Sequence, residues 1–133
     1  GIISGCLTEI AGSSDVFDRG FVSYSYDAKM AQLDVERKII GDFGAVSGET
    51  ALEMAVGALR SSHADISIAV TGIAGPGGGT DEKPVGLVYI GLANGRKVKT
   101  YTIKNNFTGD RSAVRLSTLR KSLEMLQLEI DQA

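Results

Sequence analysis

Ile66-Ser67-Ile68-Ala69-Val70-Thr71-Gly72-Ile73-Ala74-Gly75-Pro76-Gly77-Gly78-Gly79-Thr80 joins an apolar run directly to a glycine-rich loop. The run over 66–70 is typical of a buried strand. Five glycines and one proline then follow within eight residues. They end regular structure, because glycine tolerates positive φ and proline has no N–H for a ladder. Ligands bind beyond the carboxyl ends of strands in α/β sheets, so this loop predicts a functional site.

The end of this strand offers several groups for binding. The Thr71 hydroxyl and the N–H groups of Gly72 and Ile73 are expected to point into a crevice. The loop lacks the Gly-Lys-Ser/Thr ending of a P-loop and opens no helix as a dinucleotide fingerprint would. A flexible connection between two strands is the alternative interpretation. The charges at 81–83, on the far limb of the loop, are expected to be solvated.

Composition limits the class of protein. The chain has 133 residues, of which 43% are hydrophobic, which suits one domain with an ordinary core. The net charge of −2 and the mixed charges do not predict a nucleic-acid partner. A membrane partner is not predicted either, since no apolar run approaches the roughly 20 residues needed to span a bilayer. Cys6 is the only cysteine and His63 the only histidine, so an internal disulfide and a His/Cys zinc site are excluded. A cysteine-poor chain fits a reducing, cytoplasmic setting.

Periodicity predicts the remaining elements. Strands are predicted over 20–25, 85–92 and 97–103, with a hairpin turn at Asn94-Gly95. Helices are predicted at the chain start, over 26–33 and 35–40, from an N-cap at Ser47, and from 108 onward. The last helix should bury a stripe made of Val114, Leu116, Leu119, Leu123, Leu126 and Ile130. This order predicts an α/β fold, a three-layer α/β/α sandwich with a mixed β-sheet.

Two cations are candidates for a site. Arg111 opens the last helix, where a cation opposes the dipole but helps to bind an anion; a surface salt bridge is the alternative. Lys29 follows a predicted strand, and a partly buried lysine with a depressed pKa can act as a base for a serine. A solvated lysine is the alternative, and Tyr24 either orients Lys29 or belongs to the core. His63 is interpreted as a surface residue at a helix end, and Cys6 as a packing residue.

Five segments together resemble the CinA C-terminal domain family, whose stand-alone members are nicotinamide-nucleotide amidases. They are GFVSYSYDAK at 20–29, GAVS at 44–47, VTGIAGPGGGT at 70–80, KPVGLV at 83–88 and FTGDR at 107–111. The resemblance implies an α/β/α fold. It also implies hydrolysis of nicotinamide mononucleotide to nicotinic acid mononucleotide and ammonia, with no metal or cofactor.

The resemblance also implies a serine nucleophile that is activated by a lysine, with a tyrosine nearby. Six residues match the family's site, namely Lys29 and Tyr24 as catalytic residues and Gly12, Thr71, Gly72 and Arg111 as substrate-binding residues. The family serine lies in a Glu-Ser-Cys-Thr-Gly-Gly stretch whose last glycine aligns with Gly1. The serine is therefore expected three residues ahead of Gly1, and Ser4, Ser13 and Ser14 do not occupy its position.

Residues 1–133 are therefore expected to form one amidase domain whose N-terminal segment lies upstream of Gly1. The alternative is a non-catalytic nucleotide-binding domain, or a regulatory or assembly domain of a larger competence/damage-inducible protein. The expected partner is a small-molecule nucleotide. An exposed apolar sheet edge or helix face would favour self-association as a homo-oligomer.

Overall fold

Three antiparallel strands form the centre of the fold, in the order β1-β2-β3. A computed structural model describes residues 1–132, in which the strands are β1 (Ile66–Gly72), β2 (Leu87–Asn94) and β3 (Lys99–Asn106). Asn94 ends β2, and its side-chain oxygen accepts from the Arg96 and Lys97 amides, both at 3.1 Å. The predicted hairpin is confirmed, with its turn over 95–98 and not at 94–95. The predicted strand over 66–70 is confirmed as part of β1.

Residues 1–132 contain five α-helices and one 3-10 turn. They are α1 (Ile2–Thr8), the turn Ser13–Asp15, α2 (Tyr26–Leu33), α3 (Arg37–Phe43), α4 (Gly48–Arg60) and α5 (Arg111–Asp131). The predicted cap of α4 is confirmed, because the Ser47 hydroxyl oxygen accepts from the Thr50 amide at 3.1 Å. Within these residues, no helix combines the length and the apolar character needed to cross a bilayer.

Helices cover both faces of the sheet. On one face, α2 and α4 pack Leu33, Met54 and Ala55 against Ala69 and Ala93 of the sheet. On the other face, Val88, Ile90 and Leu92 meet Val114 and Met125 of α5. The predicted α/β fold with three layers is therefore confirmed.

Residues 20–25 do not form the predicted strand. They have no regular secondary structure, and no ladder partner lies beside them within the described part of the chain. The two residues just before this segment are bound to the chain that follows α4. Asp18 Oδ2 accepts from the His63 amide at 3.0 Å, and Arg19 Nη1 donates to the Ser61 carbonyl at 2.9 Å. A strand needs a neighbour for its backbone groups, and here a groove separates residues 20–24 from β1. All pairing in residues 1–132 is consequently antiparallel, not mixed.

The buried face of α5 is rotated from the predicted stripe. Leu116 is 57% exposed and Ile130 is 54% exposed, so both assignments to the core were wrong. Their places are taken by polar residues, Ser122 and Glu129, which are buried with Val114. Hydrogen bonding makes this possible, since the Ser122 hydroxyl donates to the Thr118 carbonyl at 2.7 Å and Glu129 is paired with lysines.

Candidate active site

Lys29 is a buried cation with no acidic partner. It lies in α2 and is only 7% exposed. Its Nζ donates to the Ser23 carbonyl at 3.0 Å and to the Tyr24 carbonyl at 3.2 Å. Among residues 1–132 no carboxylate forms an ion pair with it. Burial lowers the pKa of Lys29, because desolvation disfavours the charged ammonium.

Arg111 connects the glycine-rich loop to Tyr24. Its Nη1 donates to the Gly75 carbonyl at 2.8 Å, and its Nη2 lies 3.4 Å from the Tyr24 hydroxyl. The Tyr24 carbonyl in turn holds Lys29. Tyr24 thus contacts the lysine through its backbone carbonyl and the arginine through its hydroxyl, while the residue is 82% exposed.

A small cavity of about 280 Å³ lies where the loop meets the first turn of α5. Its lining includes Ala74, Pro76, Val85 and Arg111. In the described part of the chain Arg111 forms no ion pair with a carboxylate. An unpaired guanidinium at a helix N-terminus suits an anionic group such as a phosphate.

Two of the three binding groups expected at the end of β1 are already occupied. The Thr71 hydroxyl donates to the Ala45 carbonyl at 2.7 Å, and the Ile73 amide donates to the Leu87 carbonyl at 2.9 Å. Because ladder bonds alternate along an antiparallel strand, the amide of Gly72 faces away from β2. A Cβ on Gly72 would lie 2.6 Å from Val88 Cγ2, so a side chain does not fit there. The Gly72 N–H is the group that remains available.

Three consecutive carbonyls, those of Phe43, Gly44 and Ala45, accept side-chain hydrogen bonds beside this strand end. The donors are Lys83 Nζ to Phe43 at 2.6 Å, Ser47 Oγ and Thr50 Oγ1 to Gly44 at 3.0 and 2.7 Å, and Thr71 Oγ1 to Ala45. Lys83 was expected to be solvated, so this contact was missed. Its partner lies 40 residues away and left no local signal.

Gly12 lies apart from these residues. It has a φ of 86° in the turn before residues 13–15 and lines a groove of about 1030 Å³ beside β1. Hydrogen bonds join Tyr24, Lys29 and Arg111, and Thr71 and Gly72 end the strand that leads into the same loop. No hydrogen bond in residues 1–132 links Gly12 to that group, although Tyr24 lines the same groove. Within residues 1–132 no cluster of three or more metal-ligating side chains occurs.

Comparison with known proteins identifies the family. The family model described as the CinA C-terminal domain matches residues 1–130. The chain belongs to the CinA C-terminal domain family. A protein of Caldicellulosiruptor bescii named "Putative competence-damage inducible protein" is 48% identical over 130 residues, which are 98% of this chain and 31% of that protein. The chain therefore spans about a third of the length of such relatives.

A shorter relative carries a more specific name. "Nicotinamide-nucleotide amidohydrolase PncC" of Enterobacter agglomerans is 48% identical over 124 residues, covering 93% of this chain and 75% of that protein. The crystal structure of the competence/damage inducible protein CihA from Agrobacterium tumefaciens superposes with a TM-score of 0.93 at 51% identity. That match covers 96% of this chain and 78% of the other, so the fold is that of the CinA superfamily.

Proposed function

We propose that this chain is the catalytic domain of a nicotinamide-nucleotide amidase, which converts nicotinamide mononucleotide and water into nicotinic acid mononucleotide and ammonia. The name of the Enterobacter agglomerans relative supports this substrate class. The chemistry proposed is serine-dependent amide hydrolysis, with the serine upstream of Gly1 as the family resemblance implies.

The observation that carries the proposal is the burial of Lys29 without a carboxylate. A base for a serine hydroxyl must be neutral before it can take the proton. A lysine paired with a carboxylate would stay charged, whereas desolvation moves Lys29 toward the neutral amine. Its two carbonyl contacts hold the amine in place without fixing its charge.

In the proposed reaction Lys29 Nζ takes the proton of the serine hydroxyl while the serine oxygen attacks the carboxamide carbon. The tetrahedral intermediate collapses, the C–N bond breaks, and the proton held by Lys29 passes to the leaving ammonia. Water then attacks the acyl-enzyme, which releases the carboxylate product and restores the serine.

Two further groups have roles in this scheme. The Gly72 N–H, which is not used in the ladder with β2, is proposed to donate to the oxyanion of the intermediate. Arg111 is proposed to hold the phosphate of the nucleotide, since its guanidinium lies at the N-terminus of α5.

The proposal is tested with the full-length protein by measuring ammonia release from nicotinamide mononucleotide. Lys29→Met and Lys29→Arg should each lower kcat by about 10²- to 10⁴-fold, because neither side chain takes up a proton at neutral pH. The matched control is Lys38→Met, since Lys38 lies exposed on α3 beside Asp42. Full activity in both Lys29 variants would reject the base assignment.

A second candidate function is nucleotide binding without catalysis. The observation that favours it is the unpaired Arg111 beside the 280 Å³ cavity, which needs no serine to bind an anion. In this case the full-length protein binds nicotinamide mononucleotide in calorimetry but releases no ammonia. Arg111→Gln should then weaken binding, whereas Arg115→Gln, at an exposed position on the same helix, should not.

A further inference from the structure

The glycine-rich loop, residues 73–86, is bonded to itself at its base and near its tip. At the base, the Gly86 amide donates to the Ile73 carbonyl at 2.7 Å. Near the tip, the Thr80 amide donates to the Lys83 carbonyl at 2.8 Å, and the Lys83 amide donates to the Thr80 hydroxyl oxygen at 3.0 Å. The two limbs of the loop therefore hold each other in place.

Val85 packs against the backbone of the loop at two points. A Cβ on Gly75 would lie 2.5 Å from Val85 Cγ1, and a Cβ on Gly79 would lie 2.9 Å from Val85 Cγ2. No side chain fits at such distances, so glycine at 75 and 79 is what allows Val85 to pack there. Because a β-branched side chain is stiff at χ1, Val85 holds these two parts of the backbone in a fixed arrangement.

One of these contacts lies beside the group that orients Arg111. Arg111 Nη1 donates to the Gly75 carbonyl at 2.8 Å, whereas the contact of Nη2 with the Tyr24 hydroxyl is 3.4 Å long. The bond to Gly75 is therefore the stronger of the two. Val85 and Arg111 also line the same 280 Å³ cavity. Val85 thus sets the position of the Gly75 carbonyl, and this carbonyl sets the direction of the guanidinium.

Lys83 ties the limb that carries Val85 to the rest of the domain. Its Nζ donates to the Phe43 carbonyl at 2.6 Å. The carbonyls that follow Phe43 are themselves fixed, because the Ser47 hydroxyl donates to the first of them and the Thr71 hydroxyl to the second. The limb is therefore attached to a part of the chain that is already held by hydrogen bonds.

We propose that Val85 is a positioning residue for Arg111, and that Lys83 supports it by fixing the limb on which Val85 lies. The inference rests on the proposed function in one respect, namely that Arg111 holds the phosphate of the nucleotide. A guanidinium that already points in one direction loses less conformational entropy when it binds an anion, so the binding is tighter. Since these residues act on the phosphate end of the nucleotide, they should affect KM and not kcat.

Nitrogen NMR of the arginine guanidinium groups tests this inference without any ligand. In the full-length protein, rotation about the Nε–Cζ bond of Arg111 should be at least about 5-fold faster in Val85→Ala than in the original protein, because the Gly75 carbonyl is no longer held. Val98→Ala is the matched control, since Val98 lies in the turn beyond the other end of β2. Unchanged rotation of Arg111 in Val85→Ala would overturn the proposal.

A conservative variant separates the shape of Val85 from its chemistry. Val85→Thr keeps the branched shape, and at a position that is 38% exposed the new hydroxyl can reach water. It should therefore keep the slow rotation of Arg111 that Val85→Ala loses. Fast rotation in Val85→Thr would show that packing against Gly75 is not what orients the guanidinium.

A double-mutant cycle tests whether Val85 acts through Arg111. The probe is nicotinic acid mononucleotide, because this product carries the same phosphate and is not consumed during calorimetry. Val85→Ala should weaken its binding about 10-fold, and the same change should have little further effect in an Arg111→Gln background. Equal losses in the two backgrounds would mean that Val85 acts independently of Arg111, which contradicts the proposal.

Lys83→Met changes a side chain that does not line the cavity. It should raise the KM for nicotinamide mononucleotide and speed the rotation of Arg111, while kcat stays within about 2-fold of the original value. Lys38→Met is the control, because Lys38 is an exposed lysine on α3. A lower kcat at constant KM, or an unchanged rotation of Arg111, would reject the role of Lys83.

The measurements also separate this inference from the proposed function. If the rotation of Arg111 responds to Val85→Ala but the full-length protein releases no ammonia, the proposed function fails while the positioning of Arg111 stands. If the protein releases ammonia but the rotation of Arg111 is the same in Val85→Ala, the proposed function stands and this inference is overturned.

Discussion

Two charged side chains are buried among residues 1–132, and their surroundings differ. Glu129 is 1% exposed and is compensated, because Asn94 Nδ2 donates to Oε1 at 2.8 Å and Lys99 Nζ to Oε2 at 2.9 Å. Lys97 adds a contact at 3.2 Å. Lys29, in contrast, donates only to two backbone carbonyls, those of Ser23 and Tyr24. A buried charge that is fully paired holds the fold together, whereas an unpaired one opposes folding and is a candidate for chemistry.

The pKa directions express the same contrast. Hydrogen bonds from Lys99 and Asn94 lower the pKa of Glu129 to about 2, since they favour the carboxylate. Desolvation lowers the pKa of Lys29, which favours the uncharged amine. The fold therefore stabilises the charge of Glu129 and disfavours that of Lys29.

Removing the compensated charge should have the largest effect. Glu129→Ala leaves Lys97, Lys99 and Asn94 without their common partner, and Tm should fall by roughly 10 °C. Thermal unfolding followed by circular dichroism measures the change. Glu124→Ala is the control, because Glu124 lies exposed on the same helix. Equal losses in the two variants would mean that burial of the network is unimportant.

The same carboxylate should set the acid limit of stability. Its folded pKa is about 2 and its ordinary value 4.5, so the stabilisation is complete above about pH 4.5 and is lost between there and about pH 2. Glu129→Gln cannot titrate and should show a smaller loss of Tm over that range. Parallel slopes for the variant and the original protein would assign the acid sensitivity to other groups.

Replacing the uncompensated charge should act in the opposite direction. Lys29→Met keeps the length of the side chain and removes the buried cation, so Tm should rise by about 3 °C. The Ser23 and Tyr24 carbonyls lie in the partly exposed segment 20–25 and can accept from water instead. A fall in Tm would show that the lysine is structural. Because its pKa is lowered, the original protein should also gain stability as the pH rises toward 10.5.

An exposed ion pair should have the smallest effect. Lys38 and Asp42 on α3 lie 3.2 Å apart at i and i+4, with both side chains in solvent. Lys38→Ala should cost about 0.3–0.5 kcal/mol, measured by urea unfolding. The effect should decrease further in salt, whereas that of Glu129→Ala should not.

Local sequence predicted most elements of the fold. Three elements were predicted from signals that act within a few residues, and all three are confirmed. They are β1 from the apolar run before the glycines, α4 from the Ser47 cap, and the hairpin between β2 and β3 from Asn94-Gly95, although its turn covers 95–98. The prediction of a strand over 20–25 was wrong, because a strand must pair with a neighbouring strand and the sequence of one segment does not reveal that neighbour. The predicted apolar stripe of α5 was partly wrong because Glu129 is buried on this helix. Its lysine partner Lys99 lies 30 residues away, so local periodicity could not indicate that burial.

The candidate site was predicted less completely. The family resemblance selected Lys29, Tyr24 and Arg111, which hydrogen bonds join, but their roles stay predictions, as do those of Gly12, Thr71 and Gly72. Spacing alone could not show that Tyr24 holds Lys29 through its carbonyl. Nor could it show the Lys83 contact, because a lysine 40 residues from its acceptor looks like any solvated lysine.

The three bonded carbonyls of Phe43, Gly44 and Ala45 have a consequence for how this domain tolerates change. Each carbonyl meets a donor from a different place in the chain, among them Lys83, Thr50 and Thr71. Inserting or deleting one residue within 43–45 would move these carbonyls away from their donors and break several hydrogen bonds together. We therefore expect this segment to tolerate substitutions better than insertions or deletions. More exposed loops should accept changes in length more readily.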